Sequence, residues 1–176
     1  MNGTLQKFLR KKGLVAVLLL SLLLLSACLE LSETPPSKEE SVEPPEVSLC
    51  EEIISAYKEV RDLPYKWGGS EIKDGGLDCS GLVHWISKRI GRPVPRTTSR
   101  KYYLTMKGND VHWSDAECGY WVWWTFSPDR PYGHIGIHLE QPEFIQSGSS
   151  TGPTISIHRE DGYWDKIHEA SKKVYN

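Results

Sequence analysis

An excess of charge of either sign is missing from this chain of 176 residues: 21 basic and 23 acidic side chains leave a net charge of -2. With a sequence pI near 6.3 there is no basic surplus to neutralise a phosphate backbone, so nucleic acid is not an expected partner. A membrane-spanning length is missing too. The one long apolar run, from Leu14 to Leu25 with only Ser21 inside it, is about a dozen residues, whereas a spanning helix needs about 20. Cysteine is scarce, and the four that occur, Cys28, Cys50, Cys79 and Cys118, each raise a separate question.

Lys7, Arg10, Lys11 and Lys12 stand before the apolar run, which closes on "LSAC", the pattern of an export signal that is no part of the fold. That ending resembles the lipobox of bacterial lipoproteins. The resemblance implies removal of residues 1–27 and lipid attachment to the sulfur of Cys28, with multiple acyl chains giving a stable membrane anchor. An uncleaved anchor or an ordinary secretory signal is the plainer alternative. Leu29 stands where enterobacterial-type sorting places an aspartate for inner-membrane retention, so an outer-membrane anchor facing the periplasm is expected. In a single-membrane cell the same anchor would lie on the outer face of the plasma membrane. Residues 28–48 include "ELSETPPSKEESVEPPEVS", rich in Pro, Glu and Ser with little to bury, and read as a tether. Residues 49–176 remain for one folded, monomeric domain. In an exported, oxidising compartment Cys50 and Cys118 are an even remainder able to pair, leaving Cys79 free; two buried free thiols are the other option.

Within the domain the period changes once. Leu49, Ile53, Tyr57 and Val60 recur at helical spacing up to Pro64, and Leu82, Val83, Ile86 and Ile90 mark a second helix ended by Gly91 and Pro93. The glycine-dense "YKWGGSEIKDGG" between them is a loop. A short helix over about Thr97 to Met106 follows, then loop to about Gly119. Beyond it "YWVWWTF", "GHIGIHL", "EFIQS" and "TISIH" are short aromatic or β-branched runs between turn residues, which predicts an antiparallel sheet and an α+β fold. Four of the seven tryptophans lie between Trp113 and Trp124, either as core and sheet face or as a wall for sugar or peptide.

Cys79 falls in the first turn of the second predicted helix, where unpaired N–H groups and the positive end of the helix dipole favour a thiolate and can hold an oxyanion. A packing role for a small buried cysteine is the competing account. A nucleophile needs a base, and of six histidines His134 stands out, because it opens "GHIGIHL", a strand whose glycines fit a close approach. His134 and His138 on one strand would be roughly 13 Å apart, too far to share a metal ion. His84, His112, His158 and His168 lack such a setting and read as surface or satisfied residues. A hairpin turning around Leu139 to Gln141 would set Gln146 directly across from His134, its amide oxygen accepting the Nδ1–H.

"YKWGG", "DCSGLVHW", "PRTTSRKYY", "GHIGIHL", "FIQSGSS" and "YWDKIHEASKKV" occur in the order and spacing of NlpC-type cell-wall cysteine peptidases, which residues 52 to 175 resemble. The resemblance implies a minimal papain-like α+β fold, with N-terminal helices packed on an antiparallel sheet. It also implies hydrolysis of peptidoglycan stem peptides, often at the bond between γ-D-glutamate and the diamino acid, without metal or cofactor. Carried onto this chain, Cys79 is the nucleophile, His134 the base and then acid, and Gln146 the orienting residue. Tyr65 and the Cys79 N–H bind the oxyanion, and Asp78 and Ser80 hold the substrate's amino end. Two departures stand out: glutamine replaces the histidine usual at the third catalytic position, and "CGYWVWW" replaces a Gly-Asp-Leu-Val-Phe strand. A silent wall-binding lipoprotein and an amidase or N-acyl transferase acting on another amide are the alternative functions.

Overall fold

The computed structural model of the chain describes residues 46–175. The signal, Cys28 and almost all of the tether lie outside the described residues, as does the last residue. Helix α1 spans Leu49–Lys58 and starts in a capping box: the Ser48 hydroxyl accepts from the Glu51 N–H, and the Glu51 carboxylate accepts from the Ser48 N–H at 2.9 Å. Together these satisfy donors that a helix start leaves open. Ile53 and Ala56 turn inward. Helix α2, Cys79–Arg89, buries Leu82, Val83, Trp85 and Ile86 and ends at Gly91, whose φ of 73° admits glycine readily. The Arg92 N–H then donates back to Ser87 O at 2.8 Å. Helix α3, Ser99–Thr105, is the short helix expected there, capped by the Thr98 side chain.

Five antiparallel strands follow: β1 Trp121–Trp124, β2 His134–His138, β3 Glu143–Gly148, β4 Gly152–Ile157 and β5 His168–Lys172, in the spatial order β4-β3-β2-β1-β5. A four-residue helix α4, Tyr163–Lys166, precedes β5. The α+β expectation holds. Neither β5 nor α4 was legible as an element, because "HEASK" alternates weakly and becomes a strand by pairing with β1.

Alternation divides the core in two. Trp121, Trp123, Ile135, Ile137 and Ile145 face the helices and pack with Ile53, Leu82, Val83 and Ile86. Val122, Trp124 and Phe144 face the other way and pack with Trp113, Trp164 and Ile167. All four tryptophans between 113 and 124 are buried, so the core account of them is right and the ligand-wall account is not. The hairpin register differs from expectation by two residues: Gly136, not His134, lies opposite Gln146, because the three-residue turn is shifted by one position, to Glu140 to Pro142. Pro142 follows a cis peptide bond.

Cys50 of α1 and Cys118, just before β1, form a disulfide with Cα atoms 5.8 Å apart, and Cys79 stays free. The bond closes a loop of 68 residues that contains both α2 and α3. Replacing both cysteines with serine is expected to lower the unfolding free energy by about 2–4 kcal/mol, measured as a lower urea midpoint, with the m-value rising as the released chain unfolds to a less compact state.

Candidate active site

The site is assembled around the start of α2. Asp78 is its N-cap, and the Asp78 carboxylate is nearly saturated: Oδ1 accepts from the Gly81 N–H at 2.6 Å, the Ser80 hydroxyl at 2.8 Å and Arg96 at 2.9 Å. Oδ2 accepts from the Gly68 N–H at 2.9 Å and Arg96 at 2.8 Å. Arg96 also donates to Ser80 Oγ at 2.8 Å. In the free protein Asp78 and Ser80 therefore tie three segments together: the loop before α2, the helix start and the chain leading to α3. Arg96, quoted within a motif but given no role from sequence, is the cation that makes this arrangement possible. Its partner is buried, and a buried carboxylate needs such a counter-charge.

The loop is pressed onto the helix. A bridge pairs Tyr65 with Leu77, and the Asp78 N–H donates to Gly69 O at 3.1 Å. A Cβ on Gly81 would collide with Gly69 O, so only glycine permits this approach. The bridge sets the Tyr65 ring near Cys79 and Asp78. Burial, and then the charges of those two residues, push its hydroxyl up to about 12, so it keeps its proton and remains a donor at neutral pH.

Cys79 occupies the first position of α2 and is 9% exposed. Its thiolate form would accept from the Ile135 and Ser80 N–H groups, and Arg96 adds attraction. Burial outweighs them, helped by the adjacent Asp78 charge, and pushes the thiol up to about 11. The expectation that the helix start lowers this pKa is thus reversed: the same carboxylate that caps the helix repels a thiolate beside it.

His134 opens β2 and donates from Nε2 to Gln146 Oε1 at 3.1 Å when it carries its proton there. Sequence pairing pointed to Nδ1; the structure uses the other nitrogen and leaves Nδ1 uncommitted to Gln146. The slipped register still brings the two side chains together, because Gln146 lies two residues diagonally from His134 on the same face. Trp124, Phe126 and Trp164 surround the imidazole, with ring centroids 5.6, 5.1 and 5.8 Å away. Burial pulls its pKa down to about 4 against a small opposing pull from Gln146. No hydrogen bond joins Cys79 to His134; the amide of Ile135, the next residue after the histidine, faces the thiol. At pH 7 the resting pair is a neutral thiol and a neutral imidazole.

His138, His158 and His168 gather at the far end of the same sheet face. His158 stacks on Trp113 at 3.8 Å, and His138 and His168 share the Ser171 hydroxyl at 2.8 and 3.1 Å. His138 and His158 are buried and His168 is half-buried, and among the described residues no group of three or more ligating side chains is placed to hold a metal.

The NlpC/P60 family model matches residues 62–172. Murein DD-endopeptidase MepS/Murein LD-carboxypeptidase of Escherichia coli (strain K12) is 30% identical over 129 residues, which are 73% of this chain and 64% of that protein. The chain therefore spans less than two thirds of that relative. A similar-to-lipoprotein member of the NLP/P60 family from Staphylococcus aureus subsp. aureus Mu50 superposes with a TM-score of 0.61 at 22% identity, over 77% of this chain and 45% of that one. RipD of Mycobacterium tuberculosis, a non-catalytic NlpC/p60 domain protein adapted to peptidoglycan binding, superposes with a TM-score of 0.55 at 20% identity, over 74% of this chain and all of that one.

Two outcomes follow from the buried groups. Alkylation of Cys79 by iodoacetamide is expected to be slow at pH 7 and to accelerate up to about pH 11, with no neutral plateau. His134 and His168 titrate near 4 when folded and near 6.5 when unfolded, so between those values the unfolded chain binds protons that the folded one does not. Chemical denaturation should accordingly show stability falling as pH drops from 6.5 towards 4.

Proposed function

The chain belongs to the NlpC/P60 family, and on that premise we propose that it is a lipid-anchored cysteine endopeptidase hydrolysing peptidoglycan stem peptides, with Cys79, His134 and Gln146 as its triad. The observation that carries the reading is the hydrogen bond from His134 Nε2 to Gln146 Oε1, which leaves the Nδ1 lone pair free to act as the base, while the thiol is held at a helix start. The anchor is the lipid on Cys28, and the envelope site is the periplasmic face of an outer membrane. Relatives of this chain that carry murein endopeptidase names support the substrate class.

Each atom of the reaction has a place. The substrate carbonyl carbon is attacked by Cys79 Sγ as His134 Nδ1 removes the thiol proton; since both groups rest neutral, proton transfer accompanies attack. Binding has to bring thiol and imidazole into reach, as catalytic hydrogen bonds often tighten only with substrate bound. The developing oxyanion meets the Cys79 N–H, which has no carbonyl partner at the first helical position, and the Tyr65 hydroxyl. The imidazolium then gives its proton to the leaving amine, and a thioester remains. Water, deprotonated by His134, resolves the thioester to a carboxylate and returns the thiol. Asp78 and Ser80 hold the substrate's amino end from the edge of their own network. No step calls for a metal or cofactor.

The neutral, buried thiol and its lack of a hydrogen bond to His134 also favour a second reading, a domain that binds peptidoglycan without cleaving it. Mass spectrometry of defined muropeptides separates the two. The expected product is a fragment ending in γ-D-glutamate, lost at least about a thousandfold on Cys79→Ala. A fragment cut at a DD bond would keep the triad and change the bond. Activity that survives Cys79→Ala would overturn the nucleophile, and binding without product from either protein would establish the second reading.

A further inference from the structure

A glutamine in the third position of the triad brings a requirement that a carboxylate would not. Its amide has two unlike ends, and only the oxygen can accept from an imidazole N–H. Once His134 becomes imidazolium both ring nitrogens donate, so the amide must then present Oε1 and nothing else. Gln146 Oε1 is 3.1 Å from His134 Nε2, and the other end of the amide, Nε2, donates to Ser156 Oγ at 3.2 Å. The three side chains form a diagonal row. Gly136 lies opposite Gln146, Gln146 opposite Thr154, and Ser156 opposite Phe144, so His134, Gln146 and Ser156 step by two residues across β2, β3 and β4 on one face. Gly148 sits next in that face and leaves the space. A Cβ there would lie 3.2 Å from Gln146 Oε1, 3.4 Å from its Nε2 and 2.9 Å from Thr151 Oγ1. Gly148 has no left-handed φ, so room rather than backbone conformation is what a side chain would take away.

We propose that Ser156, with the space left at Gly148, is a positioning residue of this site, holding the Gln146 carboxamide with its oxygen on His134 while the imidazole passes from base to acid. The inference rests on the endopeptidase reading for its kinetic consequence but not for its geometry. Six register pairs already join β3 to β4, so the ladder does not need the Ser156 bond for its own sake. Nothing touches the substrate through Ser156; it acts through Gln146 alone. Without it the amide is free to rotate, and the share of molecules with the productive Nε2–H tautomer falls.

The test is a set of variants of the full chain. Ser156→Ala is expected to lower kcat on muropeptide about five- to tenfold, the size of one neutral hydrogen bond, with KM little changed. Ser156→Thr, which keeps the hydroxyl, should recover most of it, and Gly148→Ala should lower kcat independently by crowding the amide. In a Gln146→Ala background the Ser156→Ala cost should vanish; the same cost in both backgrounds would overturn the proposal, as would an unchanged kcat in Ser156→Ala. The second readout needs no substrate: nitrogen-15 NMR of the His134 ring should show the Nε2–H tautomer in the unaltered protein and a mixture in Ser156→Ala. An identical ring spectrum in both would also overturn it. If the unaltered protein cleaves nothing, the endopeptidase reading falls while the NMR comparison still decides the role of Ser156.

Discussion

The Asp78 carboxylate is the interaction on which the rest of the site depends. It caps α2, takes both polar ends of the turn through Ser80 and Gly81, and binds Arg96 and the Gly68 amide. Through it the glycine-rich loop, the nucleophile helix and the segment leading to α3 become one rigid piece. Removing one partner would leave a buried charge unpaired, which is far more costly than never having built the pair. The position of Cys79 is a consequence, since it is simply the next residue along the chain. Tyr65 is placed at second hand, by the loop that Asp78 and Gly81 hold down.

The same carboxylate sets the chemistry as well as the geometry. A negative charge one residue from the thiol, inside a poorly hydrated site, opposes the thiolate that the helix start would favour. On the sheet side, aromatic rings around His134 remove water from the imidazole and oppose its charged form. Nucleophile and base are both biased towards neutrality, for one physical reason. Their reactivity then depends on what happens when substrate arrives. Gln146 fits this state because it orients the imidazole without adding a charge that would pull a proton onto it, and Ser156 and Gly148 fit Gln146.

Much of the frame could be read along the chain. The helix boundaries followed from local signals: the apolar period after Cys79, Gly91 and Pro93 at its end, and the short run from about Thr97 to Met106; the Asp78 and Thr98 caps emerged with the fold. The strand runs stood out as β-branched and aromatic clusters between turn residues. The short final strand did not, because its side chains have little preference of their own and β1 supplies the pairing. Arg96 and Ser156 gave no signal either, since an arginine in a loop and a serine in an edge strand are ordinary until their partners are known.

What the sequence alone determined is the set of reactive groups and the local conformation that presents each: a cysteine in the first turn of a helix, a histidine opening a strand, a glutamine in the next. Only the tertiary structure decided which atoms meet and how they are charged. Register placed Gly136 across from Gln146 and made the contact diagonal, selecting Nε2 rather than Nδ1. Distance in space joined Cys50 to Cys118 across 68 residues. Burial reversed the direction of the Cys79 pKa. Short-range preferences act within a few residues and are written in order along the chain, whereas register, contact and desolvation depend on neighbours that the chain supplies from far away.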